Sequence, residues 1–436
     1  MLSIAEPTPA ESPAHRHAEG RVLQRCELKG IRSNRSRPTV LSVFSGLGGL
    51  DLGLEAAGFR VVGCIEKDVL ARESLRRNRP DWKVVEPSNV VEYARVAKPA
   101  DFGLRRRELD LLAGGPPCQP FSKAAQWHKT ARAGLKDPRA DCVRSFLDLV
   151  SVFLPKAILM ENVQGFAQGS TSALPFLRTA LNQINSREGV LYEPSSRVLD
   201  ACDFGVPQHR RRSIIICLRD GGVFEWPNAT HRERPICAWD AIGDLHPKNP
   251  PVALGRWADL LPSIPEGGNY HYHTPDAAGE PLFGYRTRYW SFLLKLAKNK
   301  PSWTLPAQPS QNSGPFHWDN RRLTWKEMAR LQSFPKGWQV VGTYADRVRQ
   351  IGNATPPLLA ETIGRELGHQ VFGKRYAARR QLSIGRRRNT PPPTPISPVP
   401  RRFLSLGLDT RPHPGPGLGP GSVALEAVGK RSGMRR

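Results

Sequence analysis

Apolar runs and helical stripes alternate along the first half of the chain. Val40-Leu41-Ser42-Val43-Phe44 fits a buried strand, Ser45 to Gly49 a tight loop, and Leu50, Leu54 and Ala57 fall at helical spacing that stops at Gly58. Phe59 to Ile65 reads as a second strand ending at Glu66. Asp68 is placed to cap a helix through Leu75, which Pro80 closes. Leu109 to Ala113 is a third apolar run, cut off by Gly114-Gly115. Pro138 then opens a long helix with Val143, Phe146, Leu147, Val150 and Leu154 on one face. A strand at Ala157–Met160, a helix around Leu174 to Ile184, and strands near Arg197–Leu199 and Ser213–Leu218 complete the series. Such alternation predicts an α/β fold with a doubly wound, mainly parallel sheet and function at the carboxyl ends of its strands. Glu66, Cys118 and Glu161 all fall at or just after such ends.

The rhythm stops after Trp226. Residues 227–320 are rich in Pro, Gly, Trp, Tyr and His and predict a second, smaller, irregular domain; helical pattern returns over 321–373 and belongs with the first domain, 39–226. Residues 1–38 are polar and aperiodic, and residues 374–436 hold 10 prolines and clusters such as Arg386-Arg387-Arg388, so both ends are expected to be disordered.

Charge sharpens this picture. The formal net charge is +25, of which +12 lies on residues 374–436 and +10 on residues 39–373, so both body and tail suit a polyanionic partner, nucleic acid first. No apolar run approaches a membrane span and the N-terminus lacks a secretory layout, which points to the cytoplasm. Seven widely spaced cysteines without a Cys-x-x-Cys pair indicate neither disulfides nor a zinc site, so no metal is expected.

Several residues invite chemistry, each with a plainer alternative. Pro116, Pro117 and Pro120 stiffen the backbone around Cys118, which suits a nucleophile but equally a small buried hydrophobe. Gly46-x-Gly48-Gly49 between strand and helix, with Glu66 twenty positions on, fits an adenosine-containing ligand, or a turn packed tightly for its own sake. Its glycines are too crowded for the pyrophosphate-binding Gly-x-Gly-x-x-Gly pattern. Glu161 is either an acid or hydrogen-bond partner, or a capping carboxylate. The cations of Gln208-His209-Arg210-Arg211-Arg212 alternate on an extended segment, for phosphate or base contact or as a solvated lead-in.

Taken together, Phe44-Ser45-Gly46-Leu47-Gly48-Gly49, Gly115-Pro116-Pro117-Cys118-Gln119-Pro120-Phe121-Ser122, Glu161-Asn162-Val163, Gln208-x-Arg210-x-Arg212, Arg322-Leu323-Thr324 with Glu327 to Pro335, and Gln350 to Pro357 resemble, in order and spacing, the C5-cytosine DNA methyltransferases. The resemblance covers about residues 39–370. It implies the Rossmann-like class I methyltransferase fold, with 227–320 as a target-recognition domain. It also implies methyl transfer from S-adenosylmethionine to C5 of a cytosine flipped out of double-stranded DNA, with a cognate restriction endonuclease as a genetic rather than physical companion. In that scheme Cys118 is the nucleophile, Glu161 engages the base, and Arg210 helps hold the pyrimidine and orients Glu161. Phe44, Ser45, Gly46, Gly48, Gly49, Glu66 and Asn353 hold the cofactor. Asn89 stands where members usually carry Asp toward the adenine amine, and Lys123 to Cys142 resembles the loop that closes over the base. A monomer associated with the nucleoid is expected. An RNA cytosine methyltransferase and an inactive DNA-binding relative are the alternatives, the latter disfavoured by intact Cys118, Glu161 and Arg210.

Overall fold

Six strands, β1 (Thr39–Val43), β2 (Arg60–Ile65), β3 (Leu111–Gly114), β4 (Ala157–Val163), β5 (Ser195–Asp200) and β6 (Arg211–Leu218), form one sheet in the order β2-β1-β3-β4-β6-β5. The computed structural model that shows this describes residues 37–117, 141–169, 172–284, 288–405 and 408. β1 pairs in parallel with β2 and β3, and β3 with β4, whereas β6 runs antiparallel to both neighbours. The expected mainly parallel sheet is therefore present, with β6 alone reversed.

Strands covered on both faces need apolar side chains on both, and the central ones supply them over most of their length, β3 as Leu-Leu-Ala-Gly and β4 opening Ala-Ile-Leu-Met. Because side chains alternate across a sheet, successive residues enter different cores. Val40, Leu111, Ala113, Leu159, Ile214 and Ile216 share one core with helices α1 (Gly49–Ala56) and α10 (Pro357–Phe372). Leu41, Val43, Leu112, Ile158, Met160 and Ile215 share the other with α3 (Val90–Val96), α4 (Asp141–Phe153) and α6 (Leu174–Glu188). The C-terminal helix α10 thus packs against the sheet beside α1. α1 and α10 approach so closely that a Cβ on Gly53 would lie 2.3 Å from the Pro357 carbonyl oxygen, so that any side chain there forces the helices apart. Two further helices are α2 (Val69–Asn78), capped by Asp68 as the sequence implies, and the single turn α5 (Gln164–Ala167).

Residues 227–320 contain one short α-helix among the described residues, α7 (Ala238–Ile242), and build an aromatic core of their own from Tyr270, Phe283, Phe292 and Phe316. Trp257 packs into it, 5.1 Å from Phe283, whereas Trp290 is 53% exposed. The tryptophans of this region therefore divide between core and surface.

Beyond α8 (Trp325–Leu331), α9 (Tyr344–Asn353) and α10, the chain departs from the expectation of disorder. Residues 374–405 form a strap along the molecule. The Tyr376 hydroxyl donates to the Ala57 carbonyl, and the backbone N–H groups of Gln381 and Leu382 donate to the buried Glu361 carboxylate at 2.7 and 2.9 Å. Arg387 N–H donates to Asp240, and its guanidinium pairs with Asp244 at 2.6 Å. Thr394 N–H donates to Glu266, and Phe403, on α11 (Arg401–Leu404), stacks on Trp257 at 5.5 Å with 2% exposure. Proline-rich composition reads as disorder because it builds no periodic face. An extended proline-rich chain nevertheless needs no internal hydrogen bonds and can dock through a few anchors. No helix among the described residues is long and apolar enough to cross a membrane.

Candidate functional site

The carboxyl ends of β1 to β4 and the start of β6 converge on one edge of the sheet. After β1 the backbone turns through three left-handed residues, Phe44 (φ 59°), Gly46 (φ 54°) and Gly48 (φ 81°). Left-handed backbone is strained for a bulky residue such as Phe44, and such strain, on the order of 1–3 kcal/mol, persists only where the surroundings enforce it. Here Phe44 N–H is held by the Ile65 carbonyl at 2.8 Å, and Gly46 N–H by Glu66 Oε2 at 2.7 Å. Glu66 Oε1 accepts from Asp68 N–H, also at 2.7 Å. Burial raises the Glu66 pKa against the pull of these two donors. Each oxygen keeps a lone pair, so a rigid acceptor for a pair of hydroxyls stands beside the loop. Ser45, nearly buried, instead turns beneath the loop, donating to Ser42 Oγ at 3.0 Å.

Asn89 and Asn353 contribute differently. Asn89 is the N-cap of α3: its Oδ1 accepts from Val91 N–H at 3.0 Å and its Nδ2 donates to Glu92. Its oxygen is therefore partly committed to the helix, with one lone pair remaining. Asn353 is exposed at the end of α9, next to Gly352, whose carbonyl is tied to Arg210.

The other half of the edge is built around Glu161. It lies on β4 with 8% exposure, and a Cβ on Gly115 would come within 3.2 Å of its Oε2, so a side chain there would crowd the carboxylate. Asn162 Nδ2 donates to the Pro116 carbonyl at 3.0 Å, fixing the segment that ends at Pro117 against β4. Cys118 and residues 123–140 of the loop that follows lie outside the described residues.

The arginine at Glu161 is Arg212, not the expected Arg210. Arg212 Nε stands 3.0 Å from Glu161 Oε1, with both side chains largely buried. Arg210, 2% exposed, donates through Nη2 to the Gly352 carbonyl at 2.8 Å and so fastens the β6 lead-in to the end of α9. The antiparallel register decides between them: Val163 faces Arg212 and Glu161 faces Ile214, which puts Arg212 diagonally beside Glu161 on the same face. The alternating arginines were visible in the sequence, but the register that selects one was not. Despite this ion pair, Glu161 Oε1 accepts no hydrogen bond among the described residues. A buried oxygen left in that state is costly unless a donor arrives. Gln208 and Gln332, also within the sequence blocks, are buried cross-links: Gln208 Oε1 accepts from Leu305 N–H, and Gln332 Nε2 donates to the Ile351 carbonyl.

The family model for C-5 cytosine-specific DNA methylases matches residues 39–369. Type II methyltransferase M.SacI of Streptomyces achromogenes is 34% identical over 370 residues, covering 76% of this chain and 93% of that protein. Type II methyltransferase M.Eco47II of Escherichia coli is 34% identical over 350 residues, covering 76% of this chain and 79% of that protein. The solved structure of the S. pombe Dnmt2 methyltransferase shares the fold, with a TM-score of 0.52 at 18% identity, over 77% of this chain and 100% of that one. The strap, residues 374–405, lies past the matched span.

Proposed function

From the premise that this chain belongs to the C-5 cytosine-specific DNA methylase family and is a DNA (cytosine-5)-methyltransferase, we propose that it acts on a cytosine flipped out of duplex DNA, through a covalent bond between Cys118 and C6. The observation that carries this reading is Glu161: a buried carboxylate beside a largely buried arginine, with Oε1 accepting no hydrogen bond among the described residues, on the strand against which the Pro116 carbonyl is held. N3 and the exocyclic amine of cytosine offer such an acid the proton acceptor and the donor it lacks. C6 is inaccessible in a stacked duplex, so the base must leave the stack.

The residues divide the work. Cys118, as thiolate, adds to C6 while Glu161 gives a proton or hydrogen bond to N3, which makes the ring electrophilic. Arg212 orients Glu161 and would donate to the pyrimidine carbonyl of the bound base. S-adenosylmethionine, when bound, supplies the methyl group that C5 takes up. Glu66 would hold its ribose hydroxyls, Phe44 and the Gly46–Gly49 turn would pack against its adenosine, and Asn89, with one lone pair left, would accept from the adenine amine. Loss of the C5 proton and release of the thiol complete the cycle. The names of its relatives support a place in a type II restriction–modification pair, with the endonuclease as a separate protein.

Arg212→Ala is expected to lower kcat/KM for methyl transfer by about 10²–10³, the usual cost of removing one preorganised donor, with cofactor affinity unchanged. Labelled-methyl incorporation into DNA reads the first, and equilibrium dialysis the second. A loss under about tenfold would leave Glu161 working without a cationic partner and remove Arg212 from the mechanism.

A further inference from the structure

Asp200, Cys202 and His209 lie outside every role assigned above, yet they meet. Asp200 ends β5, Cys202 sits in the 3-10 turn Ala201–Phe204, and His209 precedes β6; one ligand-capable atom from each falls within 4.8 Å of the others. His209 Nδ1 is 3.0 Å from Cys202 Sγ and 3.3 Å from Asp200 Oδ2. That convergence is unbalanced as a hydrogen-bond set. A neutral imidazole nitrogen carries either one proton or one lone pair. As a donor Nδ1 must split its single proton between sulfur and carboxylate; as an acceptor from the thiol it faces the carboxylate lone pair to lone pair. A cation among the three atoms satisfies all of them.

The surroundings hold the donors as outer contacts hold metal ligands. Asp200 Oδ1 accepts from Arg210 N–H at 2.8 Å and from Cys202 N–H at 3.4 Å, which aims Oδ2 at the imidazole. His209 is pinned on both sides of its backbone, N–H to the Ser302 carbonyl at 2.8 Å and carbonyl to Thr304 Oγ1 at 2.6 Å, and its ring lies 5.5 Å from that of Trp303. Cys202 is buried, while the His209 side chain is 41% exposed, which leaves an open side for entry and for a water as fourth ligand. One thiolate, one imidazole, one carboxylate and a water are a donor set for zinc. Bonds of about 2.3 Å to sulfur and 2.0 Å to nitrogen at a tetrahedral angle separate those atoms by roughly 3.5 Å, so binding asks Sγ and Nδ1 to move apart by about half an ångström.

We propose that Asp200, Cys202 and His209 bind one divalent cation of the zinc class and thereby clamp the β5–β6 connection from which Arg210 and Arg212 extend. As the metal–sulfur bond forms, the Cys202 proton leaves to solvent and the ion takes up the negative charge. The sequence shows no zinc spacing because the ligands come from a strand end, a turn and a lead-in, seven residues apart between Cys202 and His209, rather than from a knuckle.

Titrating the metal-free full-length protein with Co²⁺ tests this. One equivalent is expected to produce a thiolate-to-cobalt charge-transfer band and the intense visible bands of four-coordination, both erased by added Zn²⁺. Cys118→Ser should keep the bands. Cys202→Ser should lose the charge-transfer band, and His209→Asn, at a half-exposed position that tolerates change, should weaken binding by at least about tenfold. Zn²⁺ should raise the melting temperature of the wild type and not of His209→Asn. No cobalt–thiolate band, or one that survives in Cys202→Ser, overturns the proposal, as does unchanged affinity in His209→Asn. None of these readouts depends on methyl transfer, so they stand or fall apart from the catalytic reading.

Discussion

Glu161→Gln is expected to reduce methyl transfer by roughly 10²–10⁴ while the protein still binds its cofactor, because the amide keeps the shape of the carboxyl but can neither carry a proton to N3 nor hold a full negative charge beside Arg212. The second effect matters for interpretation. Removing one partner of a buried ion pair strands the other, which costs on the order of 3–5 kcal/mol for a fully buried pair and less where some solvent reaches it. The variant should therefore melt lower than wild type, and turnover has to be compared well below the melting temperature of both. Single-turnover methylation with cofactor in excess makes that comparison. A loss of less than about tenfold would reduce Glu161 to a structural partner of Arg212 and leave the ring without an identified acid.

Truncation separates the strap from the tail. A chain ending at Gly373 is expected to be aggregated or severely destabilised, whereas one ending at Leu408 should fold and methylate like the full chain. Loss of Phe403 empties a site in the aromatic core, worth about 3–5 kcal/mol. Loss of Gln381 and Leu382 takes two backbone donors from Glu361, a carboxylate with no solvent exposure, leaving it among the described residues the Arg365 guanidinium at 2.8 Å. Each such deficit costs about 1–3 kcal/mol. Together these approach the whole stability of an ordinary domain, about 5–15 kcal/mol. Thermal melts and gel filtration of the two truncations decide the matter. If the chain ending at Gly373 melts within a degree or two of full length, the strap is a passenger, and removing residues 374–436 costs only phosphate neutralisation, visible as a flatter salt dependence of DNA binding.

The strands and most helices were legible because their signals are local. Apolar runs stopping short of Gly46, Glu66 and Gly115 marked strand ends, and Asp68 stood where a cap was expected, its Oδ1 accepting from Ala71 N–H. The edge on which the site gathers followed from the same alternation. What stayed hidden depends on pairing between distant segments. Arg210 and Arg212 are indistinguishable by composition and spacing, and the choice rests on the β4–β6 register. The Asn89 cap is written locally, yet the bond it competes with belongs to a ligand. The strap escaped because its anchors, Tyr376, Arg387 and Phe403, are single residues separated by proline-rich stretches, and their partners Ala57, Asp240 and Trp257 lie more than 140 positions away in the chain.

Covalent capture on duplex DNA tests the central claim most directly. The target is first mapped by bisulfite sequencing of DNA from cells expressing the protein, and 5-fluorocytosine is then placed at that position. Thiolate addition at C6 and methylation at C5 can proceed, but release requires loss of a proton from C5, and fluorine cannot leave as a cation. The enzyme is held on its product. The account predicts a shifted band on a denaturing gel that appears only with S-adenosylmethionine and is absent for Cys118→Ser. No cofactor-dependent band with wild type, or an equal band with Cys118→Ser, would contradict it.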